Sequence, residues 1–251
     1  MDITWRGQPA RIREMGAGPA VVLVHGYPLD GAMWSGVARI LSKTFRVLKP
    51  DLPGRGETAA DSAGTIADYA DFLEATLREL AQPAGLAGFS MGGYAALALL
   101  ERRPERLKAA ALVDTRASAD DDAGKVKRDE AIATVRSPTG GVPAIADAMV
   151  PRLLAPASLQ NRDLVERVQR IIRRQTPKTV EADLTAMRDR PDRRGELSRV
   201  AIPTLVVVGD GDALTPPADA QLMAGSIPGA RLVTIPAATI EAVVQRLEAA
   251  D

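Results

Sequence analysis

The chain has 251 residues, of which 46% are hydrophobic and 25% charged, and its 32 basic and 32 acidic side chains cancel. This length and composition predict one globular unit with a sizeable core and room for a lid, and they exclude a disordered chain. Balanced charge without a basic stripe argues against nucleic acid and anionic membrane as partners, and the absence of cysteine excludes disulfides, thiolate nucleophiles and cysteine-type zinc sites.

The N-terminal residues show no basic-then-apolar signal pattern, and no apolar run approaches the ~20 residues that cross a bilayer. We therefore expect a cytoplasmic protein. Its net charge of zero favours a small neutral ligand, and its oligomeric state stays open.

The first half of the chain alternates strand and helix patterns. A β-branched run at residues 20–24 is typical of a central strand buried on both faces, and an apolar stripe over 66–80 predicts an amphipathic helix packed on a sheet. The other predicted elements here are an edge segment at 3–12, a helix at 29–41, and strands at 45–48, 85–89 and 109–113.

Beyond residue 115 the alternation stops, and only helical patterns extend from 116 to 197. A helical insertion of this kind predicts a lid over the carboxyl edge of the sheet, where ligands bind in open α/β folds. We assign 1–115 and 198–251 to the core and 116–197 to the lid. The alternation resumes with a strand at 204–208, a helix at 217–225, a strand at 231–235 and a last helix that carries Ile240 and Leu247.

Two groups of lid residues have an ordinary structural interpretation. Apolar side chains such as Met149 and Met187 are expected in the lid core rather than in a substrate wall. The basic residues Arg170, Arg173 and Arg174 are expected to form a solvated face.

The segment G-F-S-M-G-G at residues 88–93 lies between a predicted strand and a predicted helix. A sharp turn at this place strains its central residue, and the small neighbours Gly88 and Gly92 leave room for that conformation. Ser90 would then stand at the tip as a nucleophile, near the positive end of the helix dipole. The alternative is a glycine-rich turn in which Ser90 only caps the helix.

The segment H-G-Y-P at residues 25–28 ends the central strand. Gly26 lets the backbone approach a substrate and Pro28 fixes the chain. This pattern is typical of an oxyanion loop, in which the Tyr27 N–H would be the donor.

A serine hydroxyl needs a base within hydrogen-bond reach and an acid that orients this base. Asp212 follows the strand at 204–208 and is the candidate acid. Asp210 in the same turn and Asp114 at the end of an earlier strand compete for this role. A third alternative is a purely structural aspartate that caps the turn.

Four motifs together resemble the landmarks of the α/β-hydrolase superfamily: H-G-Y-P, D-L-P-G-R-G, G-F-S-M-G-G-Y and V-V-V-G-D-G-D-A-L-T-P-P. Within it the chain is most similar to the enol-lactonase-like and small carboxylesterase group. The resemblance implies an α/β-hydrolase fold: a mostly parallel central sheet flanked by helices, with a helical lid inserted after the sixth strand. It also implies a site without metal or cofactor, in which Ser90 is the nucleophile, Asp212 the acid, Tyr27 and Met91 the oxyanion donors, and His25 and Gly26 the support of the oxyanion loop.

The chain departs from this family at the catalytic base. Relatives carry a histidine in a G-x-G-H loop after the final strand, whereas here Pro236 is followed directly by the last helix pattern. The only histidine is His25, a poor substitute because it ends a different strand. We infer that a loop of several residues is missing after Pro236, whether deleted, lost in evolution or left out of the sequence.

The main hypothesis is therefore a serine hydrolase that cleaves a small carboxylic ester or lactone through an acyl-enzyme and is impaired without its histidine loop. Serine at the tip of the turn argues against dehalogenase and epoxide-hydrolase chemistry. One alternative is a non-catalytic ligand-binding protein that has lost its base. Another is a perhydrolase or haloperoxidase-like activity that uses the same residues with peroxide.

Overall fold

A computed structural model describes residues 1–56, 58 and 61–236, so the predicted last helix lies outside the described residues. Within them, eight strands form one sheet. The strands are β1 (Asp2–Trp5), β2 (Gln8–Met15), β3 (Ala20–Val24), β4 (Arg46–Pro50), β5 (Ala84–Phe89), β6 (Leu107–Val113), β7 (Thr204–Gly209) and β8 (Arg231–Ile235). Their order across the sheet is β1-β2-β4-β3-β5-β6-β7-β8. The strands from β3 to β8 run parallel, and β1 and β2 form an antiparallel edge.

Helices flank the sheet and fill the interval between β6 and β7. They are α1 (Ser35–Leu41), α2 (Ile66–Arg78), α3 (Met91–Arg102), α4 (Asp122–Arg136), α5 (Gly141–Leu153), α6 (Arg162–Arg173), α7 (Pro177–Arg188) and α8 (Pro217–Ser226). Helices α4 to α7 confirm the predicted helical lid after the sixth strand. None of the described helices is long and apolar enough to cross a membrane.

Two predicted elements differ from the structure. The edge segment at 3–12 is a hairpin of β1 and β2, because Arg6 and Gly7 adopt positive φ angles of 51° and 75° and reverse the chain. The helix predicted at 29–41 begins as a 3-10 helix at Gly31–Trp34, capped by Asp30, and becomes α-helical only at Ser35.

The order in which successive strands are added to the sheet reverses at β3. Val22 of β3 pairs in parallel with Leu48 of β4 on one side and with Leu86 of β5 on the other. The chain therefore crosses over β3 after β4, and a crevice opens between the carboxyl ends of β3 and β5. His25 follows β3 and Ser90 follows β5, so both lie at this crevice.

Helix α2 shows how the sequence specifies one of the crossovers. A capping box starts it: the Thr65 hydroxyl accepts the Asp68 N–H, and the Asp68 carboxylate accepts the Thr65 N–H. Its apolar stripe is buried, including Tyr69 and Leu73. Burial of each such side chain contributes about 1.5–3 kcal/mol, which fixes the helix on the sheet.

A buried ion pair fastens the lid to the core. The Arg55 guanidinium, in the loop after β4, binds the Asp183 carboxylate on α7, and both side chains are fully buried. The Tyr69 hydroxyl of α2 donates a hydrogen bond to the same carboxylate. Three segments that are distant in sequence thus contact the same buried carboxylate. Removal of either charged partner would leave the other charge buried and unpaired, which is strongly destabilising.

A second attachment joins the lid to the loop after β3. Asp30 accepts hydrogen bonds from the Arg174 guanidinium, with an Nε to Oδ2 distance of 2.6 Å, and from the Gln175 amide at 3.0 Å. The Arg174 side chain is still 47% exposed, so Arg174 lies on the solvated face that the sequence predicts and is bound to Asp30 from that face. Asp30 is nearly inaccessible to solvent, and Arg174 is the one described cation within ion-pair distance of its carboxylate. The charge on both groups therefore strengthens their hydrogen bonds.

We predict that D183A lowers the free energy of unfolding by about 3–5 kcal/mol, because it leaves the Arg55 charge buried without its partner. Urea denaturation measures this change. The control is D61A, which removes another ion pair between core and lid, the 2.7 Å contact with Lys178, at an exposed position. Similar small losses in both variants would contradict the role given to the buried pair.

Candidate active site

The turn between β5 and α3 holds Ser90 in a strained conformation. Its φ and ψ angles are 50° and −115°, a region that residues other than glycine rarely adopt. The Ser90 N–H donates to the Val113 carbonyl at 2.9 Å, and the Ser90 carbonyl accepts from the Gly93 N–H and the Thr115 hydroxyl, both at 2.8 Å. These bonds to the neighbouring strand and helix hold the strained residue in place.

The Ser90 side chain makes no capping hydrogen bond to α3 in the described structure. The alternative in which Ser90 serves only as a helix cap is therefore not supported by its geometry. Its hydroxyl is left to face a ligand, and Ser90 lines a cavity of about 720 Å³.

Two glycines let the end of β3 approach Ser90. A Cβ atom on Gly92 would lie 2.6 Å from the carbonyl oxygens of Val24 and His25, a distance that carbon and oxygen cannot adopt without a shift. A Cβ on Gly26 would lie 3.0 Å from the Ser90 Cβ. The loop after β3 therefore lies directly against the turn that carries the serine.

This approach brings the two predicted donors to the same place. Met91 begins α3, so its N–H has no carbonyl one turn before it to bind. Tyr27 follows Gly26, precedes a cis bond to Pro28 and lines the same cavity as Ser90. The positions of both residues fit oxyanion donors, and this role stays a prediction.

His25 uses both of its ring nitrogens inside the protein. Nε2 accepts the Leu52 N–H at 3.1 Å, so Nδ1 carries the proton and donates to the Gly26 carbonyl, also at 3.1 Å. Complete burial, followed by the charge of Arg55, lowers the pKa of His25 to about 3. This histidine braces the loop at 25–28 and has no lone pair left to accept a proton from Ser90.

Asp212 lies in a tight turn after β7. One carboxylate oxygen accepts the N–H groups of Leu214 and Thr215 at 2.7 and 2.9 Å, and the other accepts the Thr215 hydroxyl. Burial raises the pKa of Asp212. The competing Asp210 is exposed at the same turn.

Asp114 lies buried at the end of β6. One of its oxygens accepts the Gly209 N–H at 3.0 Å, and the other has no partner among the described residues. Burial raises the pKa of Asp114 to about 8, and the nearby Asp212 carboxylate adds to this shift. Asp114 therefore stays mostly protonated at neutral pH, which makes it a weaker candidate than Asp212 for an acid that must stabilise a positive charge.

The cavity beside Ser90 is formed jointly by the sheet edge and the lid. Met149 and Met187 of the lid line it, and Met187 is at the same time buried in the core as the sequence predicts, so lid-core residues also form part of the cavity wall. The sequence reasoning also missed Tyr94 and Arg116. Signals for both exist, because Tyr94 follows Ser90 by one helical turn and Arg116 follows Asp114 by two residues at a strand end.

Within the described residues, no cluster of three or more histidine, cysteine, aspartate or glutamate side chains could hold a metal ion. The residues that line the cavity include two serines, two tyrosines, lid methionines and a group of charged side chains. They provide hydrogen-bond donors, a hydroxyl and apolar surface, as small-molecule sites commonly do.

Ser90 is strained, lies between a parallel strand and a helix, and stands at the carboxyl edge of the sheet beneath a helical lid. This arrangement is characteristic of the α/β proteins that carry their nucleophile on such a turn. The chain belongs to the family described as alpha/beta hydrolase fold, whose model matches residues 19–239. This match confirms both the resemblance to that superfamily and the predicted fold.

Several relatives with known names are similar over nearly the whole chain. A pimeloyl-[acyl-carrier protein] methyl ester esterase of Nitrosomonas europaea is 30% identical over 240 residues, which are 90% of either chain. The structure of a thermophilic esterase from Thermogutta terrifontis with bound malate superposes with a TM-score of 0.91 at 34% identity, covering 99% of this chain and 94% of that one. The enol-lactonase of Burkholderia xenovorans gives 0.89 at 26% identity, covering 99% and 96%. These relatives support an ester hydrolase activity.

We predict that D114N changes how stability depends on pH. Folding raises the pKa of Asp114 from 3.8 to about 8, so the stability associated with the protonated group is fully present below about pH 4 and is lost as the pH rises toward 8. This loss amounts to about 1.4 kcal/mol per pH unit, and the asparagine variant should lack it while still accepting the Gly209 N–H.

Urea denaturation between pH 4 and pH 8 gives the slope of the unfolding free energy for each variant. D210N is the matched control, because Asp210 lies exposed at the same edge of the sheet. Equal slopes for D114N and the unaltered chain would show that Asp114 is charged in the folded protein.

Proposed function

We propose that the chain is a serine esterase scaffold for small carboxylic esters or lactones, in which Ser90 gives its proton to a base and attacks the carbonyl carbon. The bond from this carbon to the alcohol oxygen breaks, the alcohol takes up the proton, and water then hydrolyses the acyl-enzyme. The observation that carries this proposal is the strained Ser90, fixed between Val113 and α3 with the Gly26 loop against it. The esterase names of the relatives support the same class of reaction.

In the proposed mechanism the N–H groups of Tyr27 and Met91 bind the oxygen that becomes negative during attack. Backbone donors held by the fold need no reorganisation as charge develops, and removal of one such donor from comparable sites costs about 10²- to 10³-fold in rate. The N-terminal end of α3 adds a favourable dipole at the same place.

The described residues offer Ser90 no histidine base. His25 already uses both ring nitrogens, and no other histidine exists in the chain. We propose that the full reaction requires a histidine after Pro236, oriented by Asp212. Without it, binding and the oxyanion hole would leave only a residual rate of about 10³- to 10⁴-fold over water.

The second candidate is a protein that binds an ester or carboxylate without turning it over. The occupied nitrogens of His25 favour it, because they leave the serine without a partner for its proton. This candidate keeps the cavity of about 720 Å³ as its binding site.

The test is the insertion of a short glycine- and histidine-containing loop after Pro236, of the G-x-G-H type. With p-nitrophenyl acetate as substrate, we expect kcat to rise by about 10²-fold or more, because Ser90 gains its base. The same insertion combined with S90A is the control and should remove the gain. A gain that survives S90A would rule out Ser90 as nucleophile, and the absence of both turnover and fluorophosphonate labelling of Ser90 would favour the binding protein.

In the protein with the inserted loop, D212N should lower kcat by about 10²- to 10⁴-fold, because it removes the charge that orients and stabilises the histidine. D114N is the matched variant at the neighbouring strand end and should cost less than about tenfold, since that group is already neutral at pH 7. Initial rates on the same aryl ester compare them. The reverse ranking would assign the acid to Asp114.

A further inference from the structure

We propose that Arg116 is a carboxylate-binding residue in the Ser90 cavity, so that the site takes esters that carry a second, free carboxylate. The claim about the substrates rests on the proposed function, whereas the claim that Arg116 binds a carboxylate does not depend on turnover. Its basis is a guanidinium that lines the cavity, is held from one side and retains unused donors.

The cavity lining carries more positive than negative charge, although the whole chain is neutral. Its cationic residues are Arg116, Lys127, Arg128, Arg152 and Arg194, and its acidic residues are Asp120, Asp121 and Asp192. The net charge of the whole chain does not reveal this local excess of positive charge. The excess favours an anionic ligand rather than the neutral one expected from the sequence.

The three cavity carboxylates are already engaged. Asp120 binds Arg128 at 3.0 Å and Arg190 at 2.9 Å, and Asp192 binds Arg194 at 2.6 Å. Asp121 caps α4 by accepting the N–H of Gly124 at 2.7 Å. In the part of the chain that the structure describes, no carboxylate lies within ion-pair distance of the remaining cavity cations Arg116, Lys127 and Arg152.

Among these three cations, only Arg116 is fixed and partly buried. Lys127 and Arg152 are exposed on α4 and α5, where they add to the positive potential without a fixed geometry. Arg116 instead donates from Nη2 to the Leu214 carbonyl at 3.0 Å, and its charge is favoured by the neighbouring Tyr94.

The end of the Arg116 guanidinium is the part that a ligand can reach. Its Nε is inaccessible to solvent and therefore also to a ligand, whereas Nη1 is not among the buried atoms and makes no hydrogen bond to any described residue. A guanidinium whose two terminal nitrogens retain N–H groups matches a carboxylate through two parallel hydrogen bonds. A carboxylate is therefore the ligand chemistry that fits this group.

Arg116 lies in the same cavity as Ser90 and directly follows a residue that holds Ser90 in place. Thr115, the preceding residue, donates its hydroxyl to the Ser90 carbonyl at 2.8 Å, and both Arg116 and Ser90 line the same cavity. A short monoester of a dicarboxylic acid would span the two groups, with the ester carbonyl at Ser90 and the free carboxylate at Arg116.

The binding experiment uses monomethyl glutarate and its neutral counterpart dimethyl glutarate, measured by calorimetry on S90A so that no turnover interferes. We expect the monoester to bind more tightly than the diester, and R116Q in that background to weaken the monoester by about tenfold or more, which equals about 1.4 kcal/mol. R170Q is the control, because Arg170 is an exposed arginine of α6 outside the cavity lining. It should leave both affinities unchanged.

The turnover experiment uses the protein with the inserted histidine loop. R116Q should lower kcat/KM for the monoester by about tenfold or more and change that for the diester less than about twofold, and R116K should restore only part of the loss. Equal losses for both esters, or no preference for the monoester in the unaltered site, would overturn the proposal and leave Arg116 as a brace for Leu214. Binding that depends on Arg116 without turnover of any ester would contradict the proposed function and uphold this subsite.

Discussion

The whole site depends on the close approach between the end of β3 and the first turn of α3. At Gly92 there is no room for even one carbon atom next to the Val24 and His25 carbonyls, and Gly26 lies against Ser90 in the same way. Because β3 and β5 are neighbours where the sheet changes direction, their two loops must share this crevice. The strained serine, the predicted oxyanion donors and the cavity all follow from that contact.

Around this contact, buried polar groups hold loops rather than react. His25 joins its loop to Leu52, Asp30 joins the following residues to Arg174 of the lid, and the pair of Arg55 with Asp183 fixes the lid on the core. Both ring nitrogens of His25 are used in this way, and this is why the histidine cannot also serve as a base.

Charge in the cavity is arranged locally. The whole chain sums to zero, yet the cavity gathers more cations than carboxylates, and its carboxylates already have partners. At the neighbouring strand ends, burial raises the pKa of both Asp114 and Asp212, but the Asp212 carboxylate accepts three hydrogen bonds that favour its charged form. These arrangements divide the site into an ester-reacting part at Ser90 and a carboxylate-binding part at Arg116, as proposed above.

The sequence by itself determined the fold and the residues at the tips of its loops. Buried strands such as 20–24 and motifs such as G-F-S-M-G-G are local patterns whose backbone geometry depends on few neighbours, so Ser90 and the loop at 25–28 could be placed without coordinates. Only the tertiary structure decided the hydrogen bonds of His25, the protonation of Asp114 and the attachment of Arg174. Those properties depend on groups brought together from distant parts of the chain, and neither periodicity nor composition records which of them will meet.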